Sequence, residues 1–162
     1  MWFKKFLKEL ATGLIVVFIF VNIINYLRQP EPSSNMLSTG EVVLLDDSRY
    51  TFHTGKPVII HFWASWCRVC KAEASNIEHL AKKYDLLTVA VNSGDDQELL
   101  TYMQSQRLHF KVLNDQNGSW AKRFNVEVFP TTFIYDAQGK LLFTEVGYTT
   151  TAGLLARMKI AE

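Results

Sequence analysis

Phe62-Trp63-Ala64-Ser65-Trp66-Cys67-Arg68-Val69-Cys70-Lys71 holds the only two cysteines of a 162-residue chain, with two residues between them. The apolar run Pro57-Val58-Ile59-Ile60-His61-Phe62 leads into it and reads as a strand covered on both faces. Beyond it, Val69, Ala72, Ile77, Leu80 and Ala81 recur at three- and four-residue spacing and predict a helix from about Cys67 to Tyr84. Two thiols on the first turn of a helix, behind a buried strand, can bond and part again. A structural staple closing so short a loop would remove little unfolded-state entropy, and a domain of this size has core enough to stand without one. The pair therefore reads as a redox couple.

Outward from the motif, strands and helices alternate. Glu41–Leu45 and Tyr50–His53 predict a leading hairpin around Asp46-Asp47-Ser48, and Leu86–Val91 a second buried strand. Asp95 and Asp96 open a helix ending near Arg107, where acidic side chains suit the positive end of the helix dipole. Phe110–Leu113 reads as a short strand and Ser119–Phe124 as a short helix. Phe129–Tyr135 and Lys140–Phe143 flank Asp136-Ala137-Gln138-Gly139, a hairpin turn, and Thr150-Thr151 caps a last helix running to about Lys159. This order implies an α/β fold: a mixed central sheet with helices on both faces.

The N-terminal segment differs in kind. Leu10 to Leu27 is eighteen residues without a charge, close to the length that crosses a bilayer core of roughly 30 Å. It is longer than a signal-peptide core and lacks small residues at its end, which favours an uncleaved transmembrane anchor. Lys4, Lys5 and Lys8 precede it, so the N-terminus is expected in the cytoplasm and the rest outside. The expected division is a cytoplasmic tip and anchor over 1–28, a polar, proline-bearing linker over 29–39 and a catalytic domain over 40–162. With 17 basic and 16 acidic residues the chain offers no polyanion-binding surface, so no nucleic-acid partner is expected.

The order strand, Trp66-Cys67-x-x-Cys70 at a helix start, strand, helix, then a proline opening a hairpin strand resembles the thioredoxin superfamily. The leading hairpin, Cys70-Lys71-Ala72-Glu73 and Phe129-Pro130-Thr131-Thr132-Phe133-Ile134-Tyr135-Asp136 are similar to its membrane-anchored TlpA/ResA branch, in particular to the suppressor-of-copper-sensitivity protein D type. The resemblance covers about Met36 to Glu162. It implies a thioredoxin-like fold and a thiol–disulfide oxidoreductase in the bacterial periplasm or on another extracytoplasmic face. It implies extracytoplasmic protein disulfides or dithiols as partners and a membrane thiol reductant as electron donor. No cofactor is expected.

Position and electrostatics make Cys67 the nucleophile, next to the positive helix end and to Arg68, with Cys70 resolving the mixed disulfide. By the resemblance Pro130 is cis and lies against the cysteines, while Trp66, Phe129 and Thr131 meet the partner. Val69 stands where reductases of the superfamily commonly have proline. Arg68 should stabilise the thiolate and make the couple more oxidising than thioredoxin. His61 occupies the place of a buried aspartate in thioredoxins; a proton carrier near neutral pH and a neutral core histidine both fit. Glu73 reads as a helix-surface charge or a local tuner of the cysteines, Lys71 as solvated, and Trp63 as packing.

His53, His79 and His109 are isolated, so no metal set is expected. Asn117-Gly118-Ser119 matches a glycosylation triplet of the kind that arises by chance. The leading reading is a reductase; a dithiol oxidase, a reductase serving cytochrome c maturation and a copper(I)-handling module are the alternatives.

Overall fold

In the computed structural model, which describes residues 2–27, 30, 32, 34–37, 40–52 and 55–162, the apolar run before the motif becomes β3 (Val58–Trp63), buried at all six positions. The elements around it are α1 (Trp2–Leu27), β1 (Glu41–Val43), β2 (Arg49–Thr51), α2 (Arg68–Ala81), β4 (Asp85–Val91) and α3 (Asp96–Gln106). β5 (Val112–Asp115), α4 (Ser119–Arg123), β6 (Thr131–Tyr135), β7 (Leu141–Val146) and α5 (Thr151–Ala161) follow.

The main sheet has the order β5-β4-β3-β6-β7. β3, β4 and β5 run parallel, and β6 and β7 are antiparallel additions. Burial on both sides follows from this central position. Ile59 and Trp63 join a core with Ile77 and Leu80 of α2, Leu99 of α3 and Leu154 of α5. Val58, Ile60 and Phe62 face the other core, built with Tyr50 and Phe52 of the leading hairpin, Phe124 and Phe133. The fold is thioredoxin-like, a mixed sheet covered on both faces.

Local chemistry sets several ends. Asp95 and Glu98 form a reciprocal capping box at α3, with Asp95 Oδ1 accepting the Glu98 N–H at 2.8 Å. Asp136 Oδ1 accepts the Gln138 and Lys140 N–H groups, and Gly139 supplies the positive φ of 78° that closes the β6–β7 turn. β5 begins two residues later than the sequence suggests. Phe110 turns into the core against Trp63, and the strand ends on buried Asp115, whose carboxylate accepts the Ser119 hydroxyl and the Trp120 and Ala121 N–H groups. Asp115 thus caps α4 in place of Gly118, which has no side chain to do so. β7 runs three residues further than expected, to Val146, because it stays paired with β6 up to Thr131.

The leading hairpin is β1 paired with β2, a separate small sheet hydrogen-bonded to β5 through the Leu45 N–H and the Val112 carbonyl at 2.8 Å. His53, expected at its end, lies outside the described residues. Among the described residues no helix is long and apolar enough to cross a membrane. The expected anchor includes Val21, Asn22, Asn25, Tyr26 and Leu27, whose side chains lie outside the described residues.

Candidate active site

Cys67 is the N-cap of α2. Its backbone is extended at φ −81° and ψ 115°, and its Sγ accepts the Cys70 N–H at 3.1 Å. A sulfur in that position meets an otherwise unpaired donor and the positive end of the helix dipole. Both favour negative charge on it once the disulfide opens. Cys67 and Cys70 are joined as a disulfide, with Cα atoms 5.3 Å apart. Both cysteines are buried, at 7% and 4% exposure. Cys67 is covered by the chain at Phe129, whose carbonyl oxygen lies 3.7 Å from its Sγ and whose ring packs on that of Trp66.

Trp66 is fixed from two sides. Its Nε1–H donates to the Asn92 carbonyl at 3.0 Å, and its ring meets Phe129 edge to face at 5.8 Å between centroids. The Ser65 N–H donates to Ser93 Oγ, which donates to the Val91 carbonyl, so the motif loop is tied to the end of β4. Trp66 remains 59% exposed, with Val69 at 45%, Val128 at 43% and Tyr148 at 52%. Half of the exposed large apolar residues described outside α1 thus lie on the disulfide and the loops framing it. Arg68 is exposed beside them.

The Phe129–Pro130 peptide is cis, and Pro130 is buried. Thr131 is not a surface contact. Its side chain is 1% exposed and donates to the Val128 carbonyl at 2.7 Å, because β6 has already entered the sheet between β3 and β7. Tyr148 is the residue sequence reasoning missed. It follows Gly147, whose N–H donates to the Pro130 carbonyl, and Asn76 of α2 donates to its hydroxyl at 3.3 Å. Nothing local in Gly147-Tyr148-Thr149 signals this, since it depends on where β7 ends.

His61 is 2% exposed, and its Nδ1 lies 2.8 Å from Thr132 Oγ1. Burial pushes its pKa down to about 3, so the ring is uncharged at neutral pH. Glu73 is not a surface charge. It is fully buried on the Cys70, Glu73, Ile77, Leu80 face of α2, a register legible in the sequence as i, i+3, i+7, i+10 from Cys70. Its Oε1 accepts the Thr149 N–H at 2.9 Å, and Oε2 has no hydrogen-bond partner among the described residues.

Burial pushes the Glu73 carboxyl up from 4.5 to about 7, against the Thr149 hydrogen bond. The folded protein therefore keeps a proton that the unfolded chain releases, so stability falls as pH rises from about 4.5 to 7. His61 has the opposite sign, losing stability as pH falls from 6.5 towards 3. Glu73→Gln is expected to remove the first effect, reducing the pH 5 to pH 8 loss of unfolding free energy by about 2–3 kcal/mol relative to wild type. Urea unfolding at the two pH values measures it; equal losses in both proteins would show that Glu73 ionises normally.

Cavities of about 500 and 510 Å³ lie beside α4 and α3, with neither cysteine in their walls. The disulfide instead sits under an open apolar face, which suits a macromolecular partner better than an enclosed small molecule. Among the described residues no group of three or more His, Cys, Asp or Glu side chains gathers as a metal site.

Residues 36–144 match the model of the AhpC/TSA family. A thioredoxin-like protein of Haemophilus influenzae is 29% identical over 165 residues, covering 98% of this chain and 96% of that one. Thiol-disulfide oxidoreductase ResA of Bacillus subtilis is 32% identical over 101 residues, 59% of this chain and 56% of that one. Among solved structures, the exposed lipoprotein thioredoxin Etrx1 of Streptococcus pneumoniae superposes with a TM-score of 0.67 at 26% identity, covering 76% of this chain and 99% of that one.

Proposed function

Because this chain belongs to the AhpC/TSA family, whose thiol–disulfide oxidoreductases include relatives such as ResA, we propose that it is a ResA-like, membrane-anchored, extracytoplasmic reductase of protein disulfides. The observation that carries the chemistry is Cys67 at the N-cap of α2, its sulfur held by the Cys70 N–H and bonded to Cys70 beneath an apolar face. In the reduced protein the Cys67 thiolate attacks one sulfur of a partner disulfide. That S–S bond breaks, a mixed disulfide forms, and the departing partner thiolate takes a proton. Cys70 then attacks Cys67 Sγ, closing the intramolecular disulfide and releasing the second partner thiolate. The partner gains two electrons and the dithiol loses two. A membrane thiol reductant restores the dithiol.

The anchor is supported by α1. Its 26 residues reach about 39 Å, and every side chain from Lys5 to Phe20 is exposed. From Leu10 to Phe20 these exposed side chains include no charge, and a helix apolar on all sides needs apolar surroundings. The basic residues Lys4, Lys5 and Lys8 at its start favour a cytoplasmic N-terminus. The division into tip and anchor (1–28), linker (29–39) and catalytic domain (40–162) belongs to this reading, as does the suppressor-of-copper-sensitivity protein D type, supported by the motif residues.

The test is insulin-disulfide reduction by the full chain in detergent, with its redox potential taken by equilibration against glutathione. Turnover is expected, with a potential above the roughly −270 mV of thioredoxin, because Arg68 and the helix end favour the thiolate. An inactive protein would sink the reading, and a potential at thioredoxin's level would remove Arg68 from it.

A further inference from the structure

Two separate stretches of the tether touch the domain, at opposite ends of one strand. Pro30 lines a cavity of about 370 Å³ with Asn125, Glu127, Val128, Thr131 and Val146. That cavity adjoins the Phe129–Pro130 loop and so belongs to the disulfide end of the sheet. Further along, Met36 bridges Lys140, the Leu37 N–H donates to the Gly139 carbonyl, and the Leu141 N–H donates to the Asn35 carbonyl. These contacts lie at the β6–β7 turn, the far end of the sheet.

β7 is an outer strand, with one edge left unpaired by β6. The tether contacts at Pro30 and Met36 are six residues apart, and so are Val146 and Lys140 on the strand side. Six residues of chain can span about 20 Å, so the spacing of the described contacts, Pro30 near Val146 and Met36 at Lys140, matches an antiparallel order beside β7. Pro32, between the contacts, is buried. Pro30 and Pro32 have no N–H to offer a further strand.

We propose that this strap fixes the orientation of the catalytic domain, delivering the end of α1 to the disulfide pole so that the Cys67 face looks toward the membrane. α1 ends at Leu27, three residues before Pro30, so its end lies within about 11 Å of the Val128–Val146 cavity. The proposal rests on the anchor reading above. It implies a class of partner: a dithiol or disulfide presented at the membrane surface, within reach of Trp66, Val69 and Tyr148. A freely diffusing protein would have to enter between domain and bilayer.

The test uses the full chain in phosphatidylethanolamine–phosphatidylglycerol vesicles containing nitroxide-headgroup lipid. A fluorophore is placed at Glu127 or at Gln138, exposed residues at the two poles, in a Cys67→Ser, Cys70→Ser background. With the poles about 20 Å apart, quenching at Glu127 is expected to exceed that at Gln138 by about threefold. Equal quenching, or stronger quenching at Gln138, overturns the orientation. Failure of the chain to float with the vesicles overturns the anchor reading instead. In that event a photo-crosslinking residue at Pro30, in detergent, reports the strap by itself. Crosslinks to Val128 or Val146 support it, and crosslinks to residues 136–140 overturn it.

Discussion

Cys67→Ser is expected to lower insulin-disulfide reduction at least about 1,000-fold, to the background of the assay, with the fold intact. Thiol–disulfide exchange requires a thiolate to attack, and a serine hydroxyl at neutral pH supplies no comparable nucleophile. The substitution separates chemistry from folding cleanly, since serine is among the best N-cap residues and its hydroxyl can still accept the Cys70 N–H. Losing a disulfide between residues three apart also returns little entropy to the unfolded chain. Far-ultraviolet circular dichroism and the urea midpoint should stay close to wild type. Retention of a tenth of the activity or more would mean that Cys70 can attack directly, and the division of labour would be lost.

Phe62→Ala should be the most damaging single change to the fold, costing about 3–5 kcal/mol in urea unfolding. Phe62 is completely buried near the C-terminal end of β3, with ring centroids 5.1 Å from Phe124 and 5.8 Å from Phe133. Those rings come from the loop after α4 and from β6, so the cavity would open where three parts of the chain meet, leaving little freedom to collapse. The effect should reach the site as well, because β3 leads directly into the motif loop. A loss below about 1 kcal/mol would mean that the aromatic cluster repacks and that β3 is less central than its burial implies.

The parts of this protein that sequence reveals are those decided by neighbouring residues. The apolar run to Phe62 announces a doubly covered strand, Asp95 and Glu98 announce a capped helix, and Asp136 to Gly139 announces a turn. Cys67 and Cys70 declare their chemistry through spacing alone. The misplacements have long-range causes. Glu73 looks like a surface charge by residue type although its register with Cys70, Ile77 and Leu80 points inward, and its hydrogen-bond partner, the Thr149 N–H, lies 76 residues away. Thr131 looks like a partner contact until the pairing of β6 on both sides turns its side chain inward. Tyr148 carries no local signal, and it joins the exposed face only because Gly147 meets Pro130 and Asn76 holds its hydroxyl. The tether reads as a plain spacer until Met36 is seen beside Lys140.

The central claim is that Cys67 attacks and Cys70 resolves. Its most direct measurement is capture of the intermediate between those steps, using the full-length Cys70→Ser protein incubated with a disulfide-containing protein substrate and analysed on non-reducing gels. A dithiothreitol-sensitive adduct is predicted, mapping by peptide analysis to Cys67 and absent from the Cys67→Ser, Cys70→Ser double variant. No adduct with Cys70→Ser, or an equally strong adduct through Cys70 in Cys67→Ser alone, would contradict the account.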